Sequence, residues 1–210
     1  MDLLYLENSV KGRLSEKRFI HTVGVAKMAK RLGEIFLPGN IDELIAAGYL
    51  HDIAKECAEE ELLELIKEYG YVLTPSDILS PSVLHAYAAP TLIKRDYSIF
   101  ATEDILSSVF NHTLGATDMS IFDEIIFISD FIEEERRYDA SIKIREELFS
   151  SISAAKNYED KLLALHKASL SSIESTIAIL EKRDLHVNEK TIEAKNYFSN
   201  LIKQETNNEH

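Results

Sequence analysis

Residues 110–137, FNHTLGATDMSIFDEIIFISDFIEEERR, decide the fold class of this chain. Ser120 stands three residues before Asp123, a pairing that is typical of a capped helix start. The apolar run 125–128 follows it, and no segment of the sequence shows the sustained period-two alternation of a β-strand. The stretch therefore predicts a helix over 120–135 within a chain that has no sheet.

The helical pattern continues on both sides of this stretch. Gly and Pro are few, 7 and 4, and they cluster at breaks between helices. We predict helices at 2–12, 15–36, 41–55, 59–69, 82–95, 102–112, 120–135, 139–152, 158–183 and 189–204. The expected fold is an all-α bundle that forms one domain over 1–204, with a disordered tail at 205–210.

The segment 158–183 is predicted to be one long amphipathic helix. Its apolar positions recur at spacings of three and four residues, the period of one helical face. We expect this face to pack back on the bundle. A homodimer formed through the same face is the less favoured interpretation.

Composition excludes several classes of function. The net charge of −13 argues against broad binding to the phosphate backbone of nucleic acid. No apolar run is long enough to span a membrane, and the N-terminal residues do not resemble a signal peptide. The single cysteine, Cys57, is compatible with a reducing cytosol, so a cytoplasmic location is expected. An anionic substrate would need a concentrated local positive charge, which a pair of metal ions supplies.

Six side chains are candidates for a metal centre. Four histidines and two aspartates fall in or beside apolar helical segments: His21, His51, Asp52, His85, His112 and Asp130. Imidazole nitrogens and carboxylate oxygens suit divalent transition metals. A carboxylate such as Asp130, buried among isoleucines without a partner, would cost several kcal/mol, and a bound cation reverses that preference.

The order of these residues resembles the HD-domain superfamily of metal-dependent phosphohydrolases. More narrowly, the chain resembles the YqeK-type members, the symmetrical bis(5′-nucleosyl)-tetraphosphatases. The resemblance covers residues 13 to 200 approximately. The stretches that carry it, besides 110–137, are FIHTVGVAKMAKRL (19–32), AGYLHDIAKE (47–56), SVLHAYAA (82–89) and TIEAKN (191–196).

The resemblance implies an HD-type helical bundle and a two-metal reaction. One ion would be surrounded by His21, His51, Asp52 and Asp130, and the second by His85 and His112, with Asp52 as the bridge and hence the least replaceable catalytic residue. A hydroxide bridging the metals would hydrolyse diadenosine tetraphosphate, or a related dinucleoside polyphosphate, to two nucleoside diphosphates. Iron is the favoured metal, with manganese, cobalt or zinc as substitutes.

Five residues are candidates for catalysis or phosphate binding beside the metals. Lys55, one turn beyond Asp52, is expected to pair a phosphate oxygen or stabilise the leaving group. Arg18 precedes His21 by three residues, on the same helical face. The resemblance adds Arg136, and Thr113 with Gly115 would line the pocket beside His112.

Three positions depart from the family pattern. Ala86 and Ala89 replace glycines after the third histidine, and Glu134 replaces a proline. We expect the alanines to narrow the space beside the substrate without abolishing metal binding. Pro90 has no N–H, so the Ala86 carbonyl lacks its helical hydrogen-bond donor. The helix that carries His85 is therefore expected to bend or break near Ala89.

Two other classes of function remain open on the sequence. One is a different HD phosphohydrolase that acts on mononucleotides, such as a nucleotidase, a deoxynucleotide triphosphohydrolase or a phosphodiesterase. The other, less favoured, is a regulatory nucleotide-binding module that keeps its metal for stability.

Overall fold

The computed structural model describes residues 2–208, with side chains to residue 207, and contains no strand in this part of the chain. The helices are α1 (Leu3–Arg13), α2 (Glu16–Phe36), α3 (Ile41–Leu50), α4 (Glu59–Tyr69), α5 (Pro75–Ile78), α6 (Leu84–Asp96), α7 (Glu103–Asn111), α8 (Ile121–Ile132), α9 (Asp139–Ala154), α10 (Tyr158–Lys182) and α11 (Glu189–Asn208). Two 3₁₀ turns, Pro81–Val83 and Ser98–Phe100, flank α6. The expectation of an all-α fold is confirmed.

Helix α3 lies at the centre of the bundle, against α1, α2, α7 and α8. Its closest approach is to α2, at Gly48. A methyl group at position 48 would lie 2.6 Å from the Cα atom of Ala26, so the two backbones can only approach this closely because residue 48 has no side chain. This crossing places the end of α3 beside the middle of α2.

The long helix α10 packs on the bundle, as predicted. It contacts α8, α9 and α11. A small apolar cluster joins α8, α10 and α11, and its buried members are Phe127, Ile173, Ile177, Ala194 and Phe198. The apolar stripe of α10 is therefore covered largely by helices of the same chain.

The short helix α5 was not predicted, and it anchors the start of α11. Asp77 is fully buried and accepts hydrogen bonds from the hydroxyls of Tyr71 and Tyr87, both at 2.8 Å, and from the side chain of Asn188 at 3.1 Å. The ammonium of Lys190 lies 4.5 Å and 4.6 Å from the two tyrosine ring centroids. Hydrogen bonds to Asp77 and the cation–π contacts of Lys190 thus hold the start of α11 against α5 and α6.

The predicted helix over 41–55 is too long. α3 ends at Leu50, and turns closed by shorter hydrogen bonds follow, from Ile53 N to Leu50 O at 3.1 Å and from Lys55 N to Asp52 O at 2.9 Å. Each of these bonds spans three residues instead of four, so the chain winds more tightly here. His51 and Asp52 therefore lie in turns.

The predicted break near Ala89 is wrong. α6 runs without interruption through Pro90 to Asp96. Every residue from Leu84 to Ile93 is buried, and the helix packs against both α4 and α7. These contacts outweigh the roughly 3 kcal/mol that a proline costs inside a helix.

The predicted disordered tail is also wrong for the described part of 205–210. α11 continues to Asn208; Thr206 Oγ1 donates to the Ile202 carbonyl at 2.9 Å, and Glu205 Oε1 lies 3.5 Å from His166 Nε2. These contacts with the preceding turn and with α10 extend the helix, and residues 209 and 210 lie outside the described range. No helix within 2–208 combines the length and the apolar character that crossing a membrane requires.

Candidate metal centre

Six histidine and aspartate side chains from five parts of the chain meet at one place. They are His21 on α2, His51 and Asp52 in the turns after α3, His85 on α6, His112 at the end of α7 and Asp130 on α8. The Nε2 atom of each histidine lies between 3.1 and 3.9 Å from an oxygen of Asp52. The fold thus brings together all six predicted candidates.

The two oxygens of Asp52 face two different sets of residues. Oδ2 lies 3.5 Å from His51 Nε2 and 3.9 Å from His21 Nε2, whereas Oδ1 lies 3.1 Å from His85 Nε2 and 3.7 Å from His112 Nε2. Asp130 joins the first set, with its Oδ1 2.9 Å from His21 Nε2 and 3.9 Å from His51 Nε2. The carboxylate of Asp52 therefore stands between two potential cation sites.

Three of the histidines are oriented by the main chain three residues before them. Their Nδ1 atoms lie 2.7 Å from Gly48 O for His51, 2.9 Å from Ser82 O for His85 and 2.6 Å from Val109 O for His112. A carbonyl oxygen only accepts, so each Nδ1 must carry the hydrogen. In a neutral imidazole the Nε2 atom then presents a lone pair.

These lone pairs point at one another and at carboxylates, an arrangement that a proton or a bound metal ion would stabilise. His85 Nε2 and His112 Nε2 are only 3.2 Å apart. The Nε2 atoms of His21 and His51 are buried, and neither makes a hydrogen bond of acceptable geometry with the described residues, even though His21 Nε2 lies close to Asp130. Five of the six candidate side chains form two groups whose ligand atoms lie close enough together to hold one ion each: His21–His51–Asp130 and His51–Asp52–His112. The residues present therefore fit divalent metal ions.

The charge states of Asp52 and His85 also suit metal binding. Burial would raise the pKa of Asp52, but His51 and the other imidazoles hold it well below its usual range. Burial lowers the pKa of His85 to about 4, so its ring is neutral at physiological pH. His21 differs: burial alone would lower its pKa, yet the nearby carboxylates of Asp130 and Glu133 raise it to about 9.

Three cationic side chains surround the centre. Arg18 Nη1 lies 2.7 Å from Asp52 Oδ2, and Arg136 Nη2 lies 2.7 Å from Asp130 Oδ1. Lys55 Nζ lies 3.2 Å from both ring nitrogens of His85, so it stands over the face of that ring. The structure therefore brings these three predicted phosphate-binding residues to the site.

An open cleft of about 830 Å³ leads from the surface to His21. Arg18 and Arg136 line it, together with the exposed aromatic side chain of Tyr138 and the half-exposed Ile20. The cleft also holds four glutamates, Glu16, Glu56, Glu133 and Glu135, so its positive charge is local to the arginines beside Asp52 and Asp130. Guanidinium groups next to an apolar and an aromatic side chain suit a nucleotide.

Of the two remaining predicted residues, Thr113 adjoins His112 and Gly115 packs against α8, α10 and α11; their places in the substrate pocket stay predictions. Thr113 is next to His112, and its hydroxyl is buried without a hydrogen bond to the described residues. Gly115 adopts a φ of +70°, and a side chain there would meet Ala194 and Phe127. Its role is to turn the chain and to let α11 pack closely.

Sequence reasoning missed Glu133, which directly follows the last residue of α8. Its side chain is 1% exposed, and its Oε1 lies 3.1 Å from His21 Nδ1. A side chain at Gly24 would overlap the Glu133 carboxylate. The sequence offered one sign of this contact: Gly24, one turn after His21 on the buried face of α2, leaves space for another side chain.

The departures from the family pattern have different environments. Ala86 and Ala89 are fully buried in α6, and Ala89 belongs to the main apolar core. Glu134 is exposed. The alanines therefore fill core space beside His85, and Glu134 lies outside the metal centre.

Comparisons with known proteins agree with this geometry. The model of the HD domain matches residues 18–135, more than half of the chain, and includes all six candidates. A crystal structure of a predicted HD superfamily hydrolase involved in NAD metabolism, from Clostridium acetobutylicum, superposes with a TM-score of 0.80 at 29% identity, over 95% of this chain and 98% of that one.

Two curated relatives carry the same name, symmetrical bis(5′-nucleosyl)-tetraphosphatase. The protein from Staphylococcus aureus (strain NCTC 8325 / PS 47) is 27% identical over 95% of both chains. The protein from Bacillus subtilis (strain 168) is 30% identical over 83% of this chain and 86% of its own length. The chain therefore belongs to the HD-domain family of hydrolases, among relatives named symmetrical bis(5′-nucleosyl)-tetraphosphatases.

Proposed function

We propose that this chain hydrolyses diadenosine tetraphosphate, or a close dinucleoside analogue, symmetrically to two nucleoside diphosphates. The names of its relatives support the substrate class. The observation that carries the proposal is the division of the site by Asp52, whose two oxygens face separate sets of imidazoles. A bridging carboxylate of this kind holds two ions, and a two-ion site suits the hydrolysis of a phosphoanhydride.

The ligand sets follow from that division. His21, His51, Asp52 and Asp130 would hold the first ion, and His85, His112 and Asp52 the second. When bound, two divalent ions lower the pKa of a water molecule and polarise the phosphoryl oxygen that is attacked. The mixed nitrogen and oxygen donors suit iron, which we favour, and also manganese, cobalt or zinc.

The cations of this chain would bind the polyphosphate. Arg18 and Arg136 neutralise Asp52 and Asp130 in the structure. When metal ions bind these carboxylates, the guanidinium groups of Arg18 and Arg136 become free to hold phosphate oxygens with two hydrogen bonds each. Lys55, on the other side of Asp52, would stabilise the charge of the departing diphosphate. Thr113 offers a hydroxyl beside His112.

Symmetric cleavage requires that one nucleoside diphosphate be held outside the metal centre. The cleft beside Arg136 has room for it, and Tyr138 is one of the residues that line this cleft. Aromatic rings bind bases by stacking, with little preference for their identity. The strongly acidic remainder of the chain would keep a polyanion at this cleft.

Product analysis tests the proposal. The protein is purified without oxygen, loaded with iron or manganese and incubated with diadenosine tetraphosphate, and the products are separated by ion-exchange chromatography. Two ADP molecules per substrate are expected. ATP plus AMP would contradict symmetric cleavage, and turnover of mononucleotides alone would favour the other HD phosphohydrolases. Bound metal without turnover of any nucleotide would favour a regulatory module.

A further inference from the structure

We propose that Glu133 is a positioning residue that keeps a hydrogen on Nδ1 of His21 and so reserves Nε2 as the atom that binds a metal ion. This inference rests on the metal-dependent function proposed above. It concerns a residue that contacts no reacting group itself and acts only through His21.

His21 is held differently from the other three histidines of the site. The Nδ1 atoms of His51, His85 and His112 each face a main-chain carbonyl three residues earlier in the chain. The Nδ1 atom of His21 instead faces a side chain, with Glu133 Oε1 at 3.1 Å. A carboxylate that accepts from a ligand histidine fixes its tautomer and raises its basicity more than a carbonyl does.

The carboxylate of Glu133 is itself firmly held. Its Oε2 accepts from the main-chain N–H of Glu135 at 2.6 Å. The guanidinium of Arg145, on α9, donates to the carbonyls of Ile132 and Glu133 at 2.9 and 2.8 Å. The end of α8 is thereby clamped, so Asp130 and Glu133 reach the site from one rigid turn.

Gly24 makes the space that this carboxylate occupies. It lies on α2, one turn after His21, and any side chain at this position would overlap Glu133 Oε2. The fold therefore accommodates a fully buried charged group between α2 and the end of α8. Burying a carboxylate is costly unless its oxygens are used, and here both oxygens accept from N–H groups.

An amide cannot accept from both neighbours of this carboxylate. Both neighbours of Glu133, the Nδ1–H of His21 and the N–H of Glu135, are donors. A glutamine offers only one acceptor oxygen, so its NH₂ group must face one of the two donors. When the NH₂ group faces His21, the ring must take the opposite tautomer, and Nε2 then carries a hydrogen and cannot bind a cation.

The experiment compares Glu133→Gln with Glu134→Gln, a matched change at the exposed neighbouring residue. Mn²⁺ is titrated into the metal-free protein by calorimetry under anaerobic conditions. Glu133→Gln should weaken one of the two equivalents by about 10–100-fold, the usual effect of losing such a partner. The other equivalent, on the side of His85 and His112, and the whole titration of Glu134→Gln should match the unmodified protein.

Gly24→Ala provides an independent route to the same effect. The added methyl group displaces the carboxylate, so the same equivalent should weaken. In a Glu133→Ala background this methyl group meets no carboxylate, and Gly24→Ala should cause no further loss. An additive loss in the double variant would mean that Gly24 acts on α2 and not through Glu133.

NMR of the metal-free protein separates this inference from the proposed function. The His21 Nδ1–H should give a solvent-protected signal in the unmodified protein and in Glu134→Gln, and lose it in Glu133→Gln, whether or not an ion ever binds. Absence of Mn²⁺ binding by the unmodified protein would overturn the proposed function. Normal binding of both equivalents by Glu133→Gln, or equal weakening of both with a lower melting temperature, would overturn the role of Glu133 alone.

Discussion

The Nε2 atoms of His85 and His112 face each other at 3.2 Å, although the Nδ1 atom of each ring is directed at a main-chain oxygen. Two lone pairs at this distance repel unless a cation lies between them. The pair is therefore the part of the proposed second ion site that does not depend on His21 or Asp130.

Replacing His112 should remove one ion only. In His112→Asn the second set keeps a single imidazole, so one metal equivalent is lost while the set on His21 and Asp130 remains. Metal analysis after gel filtration should give about half the content of the unmodified protein, and turnover should fall by the order of 10²-fold or more. Loss of both equivalents would show that the two sets do not bind separately.

Replacing Asp52 should remove both ions. Asp52→Asn keeps the shape of the side chain but loses the charge that faces both sets. Depleted metal and background activity are expected, and Asp42→Asn, an exposed change on the neighbouring helix α3, should have no effect. A variant at position 52 that keeps both metals and most of its turnover would refute the bridging role.

Metal binding to the first set should depend on pH. His21 has a pKa raised to about 9, so at neutral pH an incoming ion must displace its proton. The apparent affinity of one equivalent should therefore rise about tenfold per pH unit up to about pH 9 and then level off. The contribution of His85 to the second equivalent should not depend on pH in this range, because burial already keeps His85 neutral.

Calorimetry in buffers of different ionisation enthalpy checks this prediction. Near neutral pH, binding to the first set should release about one proton from His21. If neither equivalent releases a proton there, the ring of His21 is neutral before binding and the predicted pH dependence is wrong.

Arg18 should affect substrate binding more than metal binding. Arg18→Ala removes a guanidinium at the mouth of the site, and a hydrogen bond to a charged group contributes about 1.5–3 kcal/mol, which corresponds to about a 10–100-fold rise in KM. Lys17→Ala is the matched control, since Lys17 is exposed and adjacent. Equal effects of the two variants would mean that only the general positive charge of the cleft matters.

The anchor at Asp77 should contribute to stability and not to chemistry. Burial would raise the pKa of Asp77, but the N–H and O–H groups around it lower the value to about 2. The stabilisation is therefore complete above about pH 4 and is lost as the pH falls through 2. Asp77→Asn should lower the free energy of unfolding by about 1.5–3 kcal/mol in denaturant titrations, with metal content unchanged. Asp184→Asn, on the exposed turn before α11, should be neutral.

The sequence predicted the fold class and most helix cores because apolar periodicity follows directly from which faces are buried. It placed eight of the ten predicted helix ends within three residues, for example at Arg13 and Phe36. It erred at Leu50 and Pro90, where tertiary packing decides the structure. After Leu50, tight turns replace the last part of a predicted helix, and at Pro90 buried contacts keep α6 continuous.

The same distinction applies to the site. His21 and Asp130 could be singled out because a polar group on an apolar face needs a reason to be there. Glu133 could not, because the sequence places it among three consecutive glutamates and only the approach of α2 to α8 buries one of them. Gly115 was singled out only because it lies near His112 in the sequence. Its positive φ and its close packing against Ala194 and Phe127 account for a glycine at this position.

The close crossing at Gly48 makes the geometry of the centre sensitive to a residue that touches none of the six side chains. α2 carries His21, and α3 leads directly into His51 and Asp52, so the separation of these helices sets the spacing of the first ligand set. A single added methyl group would push the helices apart at Ala26. Libraries that vary only the pocket lining would miss this position, and random mutagenesis selected for activity should find inactive variants there that still fold.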